Sequence, residues 1–166
     1  MAAGATYEPI ATQTLASTAA SITFSSIAAS WTDLRVVITG TISSGAANMI
    51  CKFNGSSSGY SHTYLYGSGA AASSGRGTSQ TYIILTANAI QTTPTFYTMD
   101  IFSYAGSTYK TVLITENGDI NGAGGAVNRF VELYQDTSAI TSMVFSVDAS
   151  TFAAGTSITL YGIKAA

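Results

Sequence analysis

The sequence predicts an all-β fold, an antiparallel two-sheet sandwich of jelly-roll type, on three observations. Short apolar runs alternate with polar residues at period two. No window carries an apolar stripe at i, i+3, i+4, i+7. Clusters of Gly, Ser, Asn and Ala separate the runs at regular spacing. About ten short strands punctuated in this way, with no helix, fit two packed sheets.

The elements follow in order. Residues 6–15 open the series, and Pro9 suits an edge strand because it donates no ladder hydrogen bond. Ile22 and Phe24 alternate with Thr23 and Ser25 over 20–27; Leu34, Val36 and Ile38 alternate with Arg35, Val37 and Thr39 over 33–42. Met49, Cys51 and Phe53 face away from Lys52 over 48–54. Asn54–Gly59 is a turn, 61–67 a strand, Gly67–Gly77 a longer Gly/Ala/Ser loop, and 79–87 a strand. Tyr97, Met99 and Ile101 oppose Phe96, Thr98 and Asp100 over 95–104. The next strand covers 109–115, and Asn117-Gly118-Asp119 with Asn121–Gly125 forms a polar connection. Val127 leads into Phe130–Tyr134 over 127–134. Met143, Phe145 and Val147 oppose Ile140, Ser142 and Val144 over 139–147; Ile158 and Leu160 alternate with Thr159 and Tyr161 over 156–163. The Ala-rich stretches Ala16–Ala20 and Ala70–Ser74 carry no apolar face, and alanine's helix preference alone does not make them helices. The chain reads as one β-sandwich domain over residues 1–166, with 1–15 as an N-terminal arm or edge strand.

Only 8% of the residues are charged, against roughly 25% in a typical soluble domain. An exterior so poor in charge predicts burial against neighbours, the habit of a component of an assembly. Net charge is −2, and Arg35, Lys52, Arg76, Lys110, Arg129 and Lys164 are scattered singly. No basic stripe exists to neutralise a run of phosphates or an anionic membrane surface, so neither nucleic acid nor membrane is expected as a partner. No apolar run approaches the ~18 residues of a membrane span, and the first residues lack the basic and apolar regions of a secretory signal. Cys51 is the single cysteine, with Met49, Ile50 and Phe53 beside it, so it is expected as a buried thiol and no internal disulfide forms.

The residues of known chemistries are sparse. His62 is the only histidine, and one Cys with one His does not supply a zinc ligand set. The carboxylates Glu8, Asp33, Asp100, Glu116, Asp119, Glu132, Asp136 and Asp148 form no acid/base pair by spacing. Asn117-x-Asp119-x-Asn121-Gly122 matches the first half of a calcium loop, but the twelfth position is Asn128 and not Glu, so a polar hairpin connection is the reading adopted. Asn54-Gly55-Ser56 fits a glycosylation sequon and equally a turn. No catalytic, cofactor-binding or metal-ligating residue is assigned, no cofactor is implied, and an enzyme is not expected. Tyr60, His62, Tyr64 and Tyr66, beside Ser/Gly loops, are the interface or recognition candidates.

Several stretches, taken in order, resemble small structural proteins of tailed bacteriophages. They are Tyr7–Leu15, Ala20–Ile27, Trp31–Val37, Phe53-Asn54-Gly55, Tyr60-Ser61-x-Thr63-Tyr64-Leu65-Tyr66-Gly67, Ser73-Ser74-Gly75-Arg76, Tyr109–Leu113 and Gly155–Ile163. Ala28-Ala29 stands where a proline turn would fit the pattern. The resemblance covers nearly the whole chain and lends no catalytic residues. It implies a β-sandwich head located in the virion, made in the host cytoplasm, that oligomerises, commonly as a trimer. The expected function is a capsid decoration (cement) protein bound to the major capsid protein or to other virion proteins. The alternative is a tail-fibre, tail-tip or head-fibre protein contacting a host receptor or glycan. A free lectin or carbohydrate-active enzyme on the same fold, acting through Asp119 or Glu116, is the third class.

Overall fold

The computed structural model describes residues 6–87, 89–119 and 124–164. Twelve strands form two antiparallel sheets among them. They are β1 (Tyr7–Thr14), β2 (Ser21–Phe24), β3 (Asp33–Gly40), β4 (Met49–Phe53), β5 (Tyr60–Gly67) and β6 (Ala72–Gln80). After these come β7 (Ile83–Ile84), β8 (Thr95–Ile101), β9 (Lys110–Asp119), β10 (Gly125–Tyr134), β11 (Met143–Val147) and β12 (Ser157–Ile163). No helix occurs among the described residues.

The large sheet runs β1-β12-β3-β8-β9-β10-β5-β6, and the small one β2-β11-β4-β7. The first half of the large sheet and the whole of the small one carry the jelly roll. The pairs β1–β12, β2–β11, β3–β8 and β4–β7 nest inside one another and lie alternately in the two sheets. Two insertions then widen the large sheet alone: β5–β6, between β4 and β7, and β9–β10, between β8 and β11.

The expected alternation accounts for the core. Ile22 and Phe24, Leu34, Val36 and Ile38, Met49, Cys51 and Phe53, Tyr97, Met99 and Ile101, and Ile158 and Leu160 all face inward and are buried. Residues 7–14 form the edge strand of the chain's own large sheet, paired with β12. Between β4 and β5, Asn54 (φ 51°) and Gly55 (φ 69°) make a tight turn closed by Ser56 N–H donating to Phe53 O at 2.8 Å. The Asn54 side chain fixes the approach to β11: its Oδ1 accepts from Thr141 N at 2.8 Å and its Nδ2 donates to Ala139 O at 2.9 Å.

Four stretches differ from expectation. Residues 72–80, within and beyond the expected 67–77 loop, form strand β6. Gly75 and Gly77 lie opposite Tyr64 and His62, and those two rings extend across them, so the cross-strand partner supplies the side chain that β6 lacks. The expected strand 79–87 shrinks to Ile83–Ile84, and 139–147 to Met143–Val147. Asn117-Gly118-Asp119 continue β9 and are not a turn, because β8 pairs with Phe96–Asn117 and Thr95–Gly118 on one side and β10 pairs on the other. Pairing on two sides outweighs the turn preference of Asn-Gly.

The same device recurs at Gly162, where a Cβ would sit 2.3 Å from two ring carbons of Trp31. Trp31 Nε1 in turn donates to Glu8 Oε2 at 3.4 Å. Gly162→Ala is expected to displace the indole and cost about 1–3 kcal/mol in urea unfolding. Gly67→Ala, whose Cβ meets only Val127 O at 3.8 Å, is expected to stay within about 0.5 kcal/mol of the parent.

Candidate functional site

The four recognition candidates share one face of β5, and it is the inner face. Tyr60 is wholly buried and is therefore corrected from recognition residue to core residue. Its ring stacks on Tyr134 at 4.8 Å and meets Phe53 at 6.4 Å. Its hydroxyl accepts from Phe53 N at 3.0 Å, tying β5 to β4 of the other sheet. Burial raises the phenol's pKa. His62, Tyr64 and Tyr66 follow at alternate positions and are partly covered, Tyr64 packing against Phe130 at 5.5 Å. The tyrosines thus line a strand face instead of projecting from loops. Period-two spacing at 60, 62, 64 and 66 was the signal for this placement.

His62 is paired across the ladder with Glu132 of β10. Its Nδ1 lies 3.8 Å from Glu132 Oε1, with the histidine side chain 12% exposed and the carboxylate fully covered. Burial pushes the Glu132 carboxyl up to about 9 and His62 below its usual range, so both groups are neutral at pH 7. His62 Nδ1 and Glu132 Oε2 have no hydrogen-bond partner. The other carboxylate oxygen, Oε1, accepts from Ile84 N at 3.3 Å. One strand over, Glu116 Oε2 accepts from Ala87 N at 3.0 Å and from Asn128 Nδ2. The two buried glutamates therefore hold the backbone of residues 84–87 against β10 and β9. Lys110 is also buried, its Nζ donating to Gly106 O, to Thr108 O at 2.6 Å and to Thr137 O at 3.4 Å. Each of these groups satisfies main chain that would otherwise be stranded in a low-dielectric interior. Among the described residues no hydroxyl or thiol is hydrogen-bonded to His62 Nδ1.

The half calcium loop is not assembled as a loop over its described part. Asn117 and Asp119 are strand residues of β9, and Asn128 turns inward to Glu116. Asn121 and Gly122 lie outside the described residues. Among the described residues, no three of His, Cys, Asp or Glu come together as a metal would need. Glu116, one of the carboxylates considered for carbohydrate chemistry, is buried; Asp119 is exposed at the end of β9. Cys51 is buried, and burial raises its thiol pKa.

The opposite, outer face of the large sheet has a different character. It exposes Leu65 (65%), Val127 (64%), Phe96 (54%) and Val131 (50%), with Val37 beside them. Strand pairing sets these residues in three adjoining rows: Arg35, Asp100, Leu113, Val131, Thr63 in the first, Val37, Thr98, Thr115, Arg129, Leu65 in the second and Thr39, Phe96, Asn117, Val127 in the third. The charges on this stretch are Arg129, whose Nη1 donates to Thr115 Oγ1 at 3.2 Å, and the Arg35–Asp100 pair at 3.2 Å. Sequence reasoning missed this surface. Its signal was the apolar Val127 and Val131 in phase with Arg129, a strand with large apolar residues on both faces. Below it, at the end of β8–β10, Pro94, Phe96, Asn117, Asp119 and Val127 border a shallow groove.

No protein-family model, curated protein or solved structure matches the chain.

The Glu132 carboxyl gives a pH test. Its pKa is raised on folding, so its stabilising effect is complete below the ordinary value of 4.5 and is lost as pH climbs toward 9. Above the ordinary histidine value of 6.5, His62 is mostly neutral in both folded and unfolded chains. From pH 7 to 8 the parent is expected to lose about 1.4 kcal/mol per pH unit from this group, and about half that slope near pH 9. Glu132→Gln, read by chemical denaturation at pH 7, 8 and 9, is expected to remove that slope.

Proposed function

We propose that this chain is a structural component of a tailed-phage virion, a decoration protein that stabilises the capsid by docking on the major capsid protein. The observation that carries the reading is the outer face of the large sheet. Leu65, Phe96, Val127 and Val131 lie exposed among Thr and Asn with little charge between them. Exposed large apolar residues clustered in this way on a compact domain mark a contact surface. The one charge in its middle, Arg129 between Val127 and Val131, is of a kind enriched in protein–protein interfaces. Contacts of that sort add stability to an assembled shell by mass action, with no chemistry required. The resemblance of Tyr7–Leu15, Trp31–Val37 and Gly155–Ile163 to phage structural proteins supports the same reading.

A tail or head-fibre role in contact with a host glycan is the second reading, favoured by one feature. Exposed Phe96 beside Asn117 and Asp119 offers an apolar ring next to amide and carboxylate oxygens, the groups a sugar's faces and hydroxyls use.

Copy number in purified particles of the virus that encodes the chain separates the two. Quantitative mass spectrometry is expected to find hundreds of copies per particle. A handful would transfer the chain to the tail, and none would overturn the virion reading. Leu65→Glu with Val127→Glu is expected to leave the unfolding midpoint within a few degrees of the parent, since both side chains are mostly exposed. The same double variant is expected to lose binding to particles stripped of the protein.

A further inference from the structure

The two sheets end in four edge strands, and three of them are closed to further pairing. β1 contains Pro9, which has no N–H, and a register break between Pro9 and Ala11. β2 is four residues long, and Gln13 Nε2 donates to its Thr23 carbonyl at 2.5 Å. β7 is two residues long, and Glu132 Oε1 takes the Ile84 N–H. β6 is different. It is the last strand of the large sheet, nine residues long, without proline and with Arg76 as its one charge, and its own register break, with Ser79 at φ 55°, lies beyond Gly77 and leaves 72–77 regular. Its side chains from 72 to 75 are Ala, Ser, Ser and Gly, so nothing bulky stands between its backbone and an incoming strand. Natural sheets seldom leave so long and so bare an edge unless it is used.

We propose that β6 pairs with β6 of a second copy, antiparallel about a two-fold axis, so that the two large sheets become one. The partner must bring an extended strand with its own unpaired edge. The three blunted edges of the same chain cannot supply it, whereas a second β6 does so by identity. Register follows from the faces. Opposed residues in an antiparallel pair point to the same side of the sheet. Gly75 and Gly77 lie on the inner side, beneath Tyr64 and His62, and Ser74 and Arg76 on the outer. Centring the axis on Ser74 or on Gly75 keeps the faces continuous and sets Arg76 against Ala72 or Ser74. Centring it on Arg76 would oppose two guanidinium groups, which is unfavourable. The contact closes on itself as a dimer where the resemblance implies a trimer. It also leaves the outer face open for a scaffold.

Sedimentation of the full chain tests this. The parent is expected to run at twice 17.1 kDa at tens of micromolar. Ser73→Pro and Ser74→Pro form a matched pair, because successive N–H groups of a strand point to opposite sides. One of the two breaks the β5 ladder and lowers stability; the other is expected to keep the parent's unfolding midpoint and sediment as a monomer. Ser74→Cys alone, or with Arg76→Cys, is expected to give a disulfide-linked dimer on non-reducing gels, with buried Cys51 taking no part. A parent that is monomeric at these concentrations overturns the proposal. So does an oligomer that survives both proline variants and forms no cross-link. Either failure leaves particle binding through the outer face standing, because that is read separately by the Leu65→Glu, Val127→Glu variant.

Discussion

Eight strands cannot be covered by four, and most of what is unusual in this interior answers that mismatch. The jelly-roll half of the large sheet has the small sheet to pack against, but the inserted strands β9, β10, β5 and β6 extend the large sheet alone. Their inner face is completed in two ways. Glu132 and Glu116 reach from β10 and β9 to hold the backbone N–H groups of Ile84 and Ala87, so that a segment with little strand pairing of its own lies across the sheet. Farther out, the rings of His62 and Tyr64 lie over Gly77 and Gly75 and cover the margin of the sheet. A carboxylate buried among apolar groups is costly when ionised. Glu132 meets that cost by holding its proton well above the ordinary carboxyl range.

The exterior follows from the same architecture. Because the large sheet is so wide, its outer face is a broad surface built from eight strands, and its far margin is a strand with few side chains to shield it. Charge, the usual means of keeping such surfaces apart, is sparse on both: Arg129, Asp119 and the Arg35–Asp100 pair mark the face and Arg76 the edge. The proposed division of labour assigns the face to a scaffold and the edge to a second copy. Neither contact needs a reactive group, and the buried His62–Glu132 pair is accounted for by its place in the wall between the sheets.

The jelly-roll strands were legible because each has one apolar face, as in Leu34–Ile38, Met49–Phe53 and Tyr97–Ile101. β6 was not, since a strand whose inner side chains are borrowed from the next strand has the composition of a loop. The end of β9 was hidden for a related reason: Asn117-Gly118-Asp119 reads locally as a turn, and only pairing on two sides makes it extended. At the candidate site, the alternate spacing of Tyr60, His62, Tyr64 and Tyr66 is compatible with one strand face, but no local signal told which face was inner. That information lay in β10, where Phe130 and Tyr134 share their phase with Glu132, a charged residue that ordinary patterning would turn toward water. Glu132 and Glu116 are therefore the residues at which local preference and tertiary need disagree.

On the proposed function a sparsely charged exterior, and not a reactive cleft, is the working part of this molecule. An electron cryomicroscopy reconstruction of the particle tests this most directly. The sandwich is expected on the shell with Leu65, Phe96, Val127 and Val131 buried against a capsid subunit. A particle-bound sandwich with that face open to solvent, held instead through other surfaces, would contradict it.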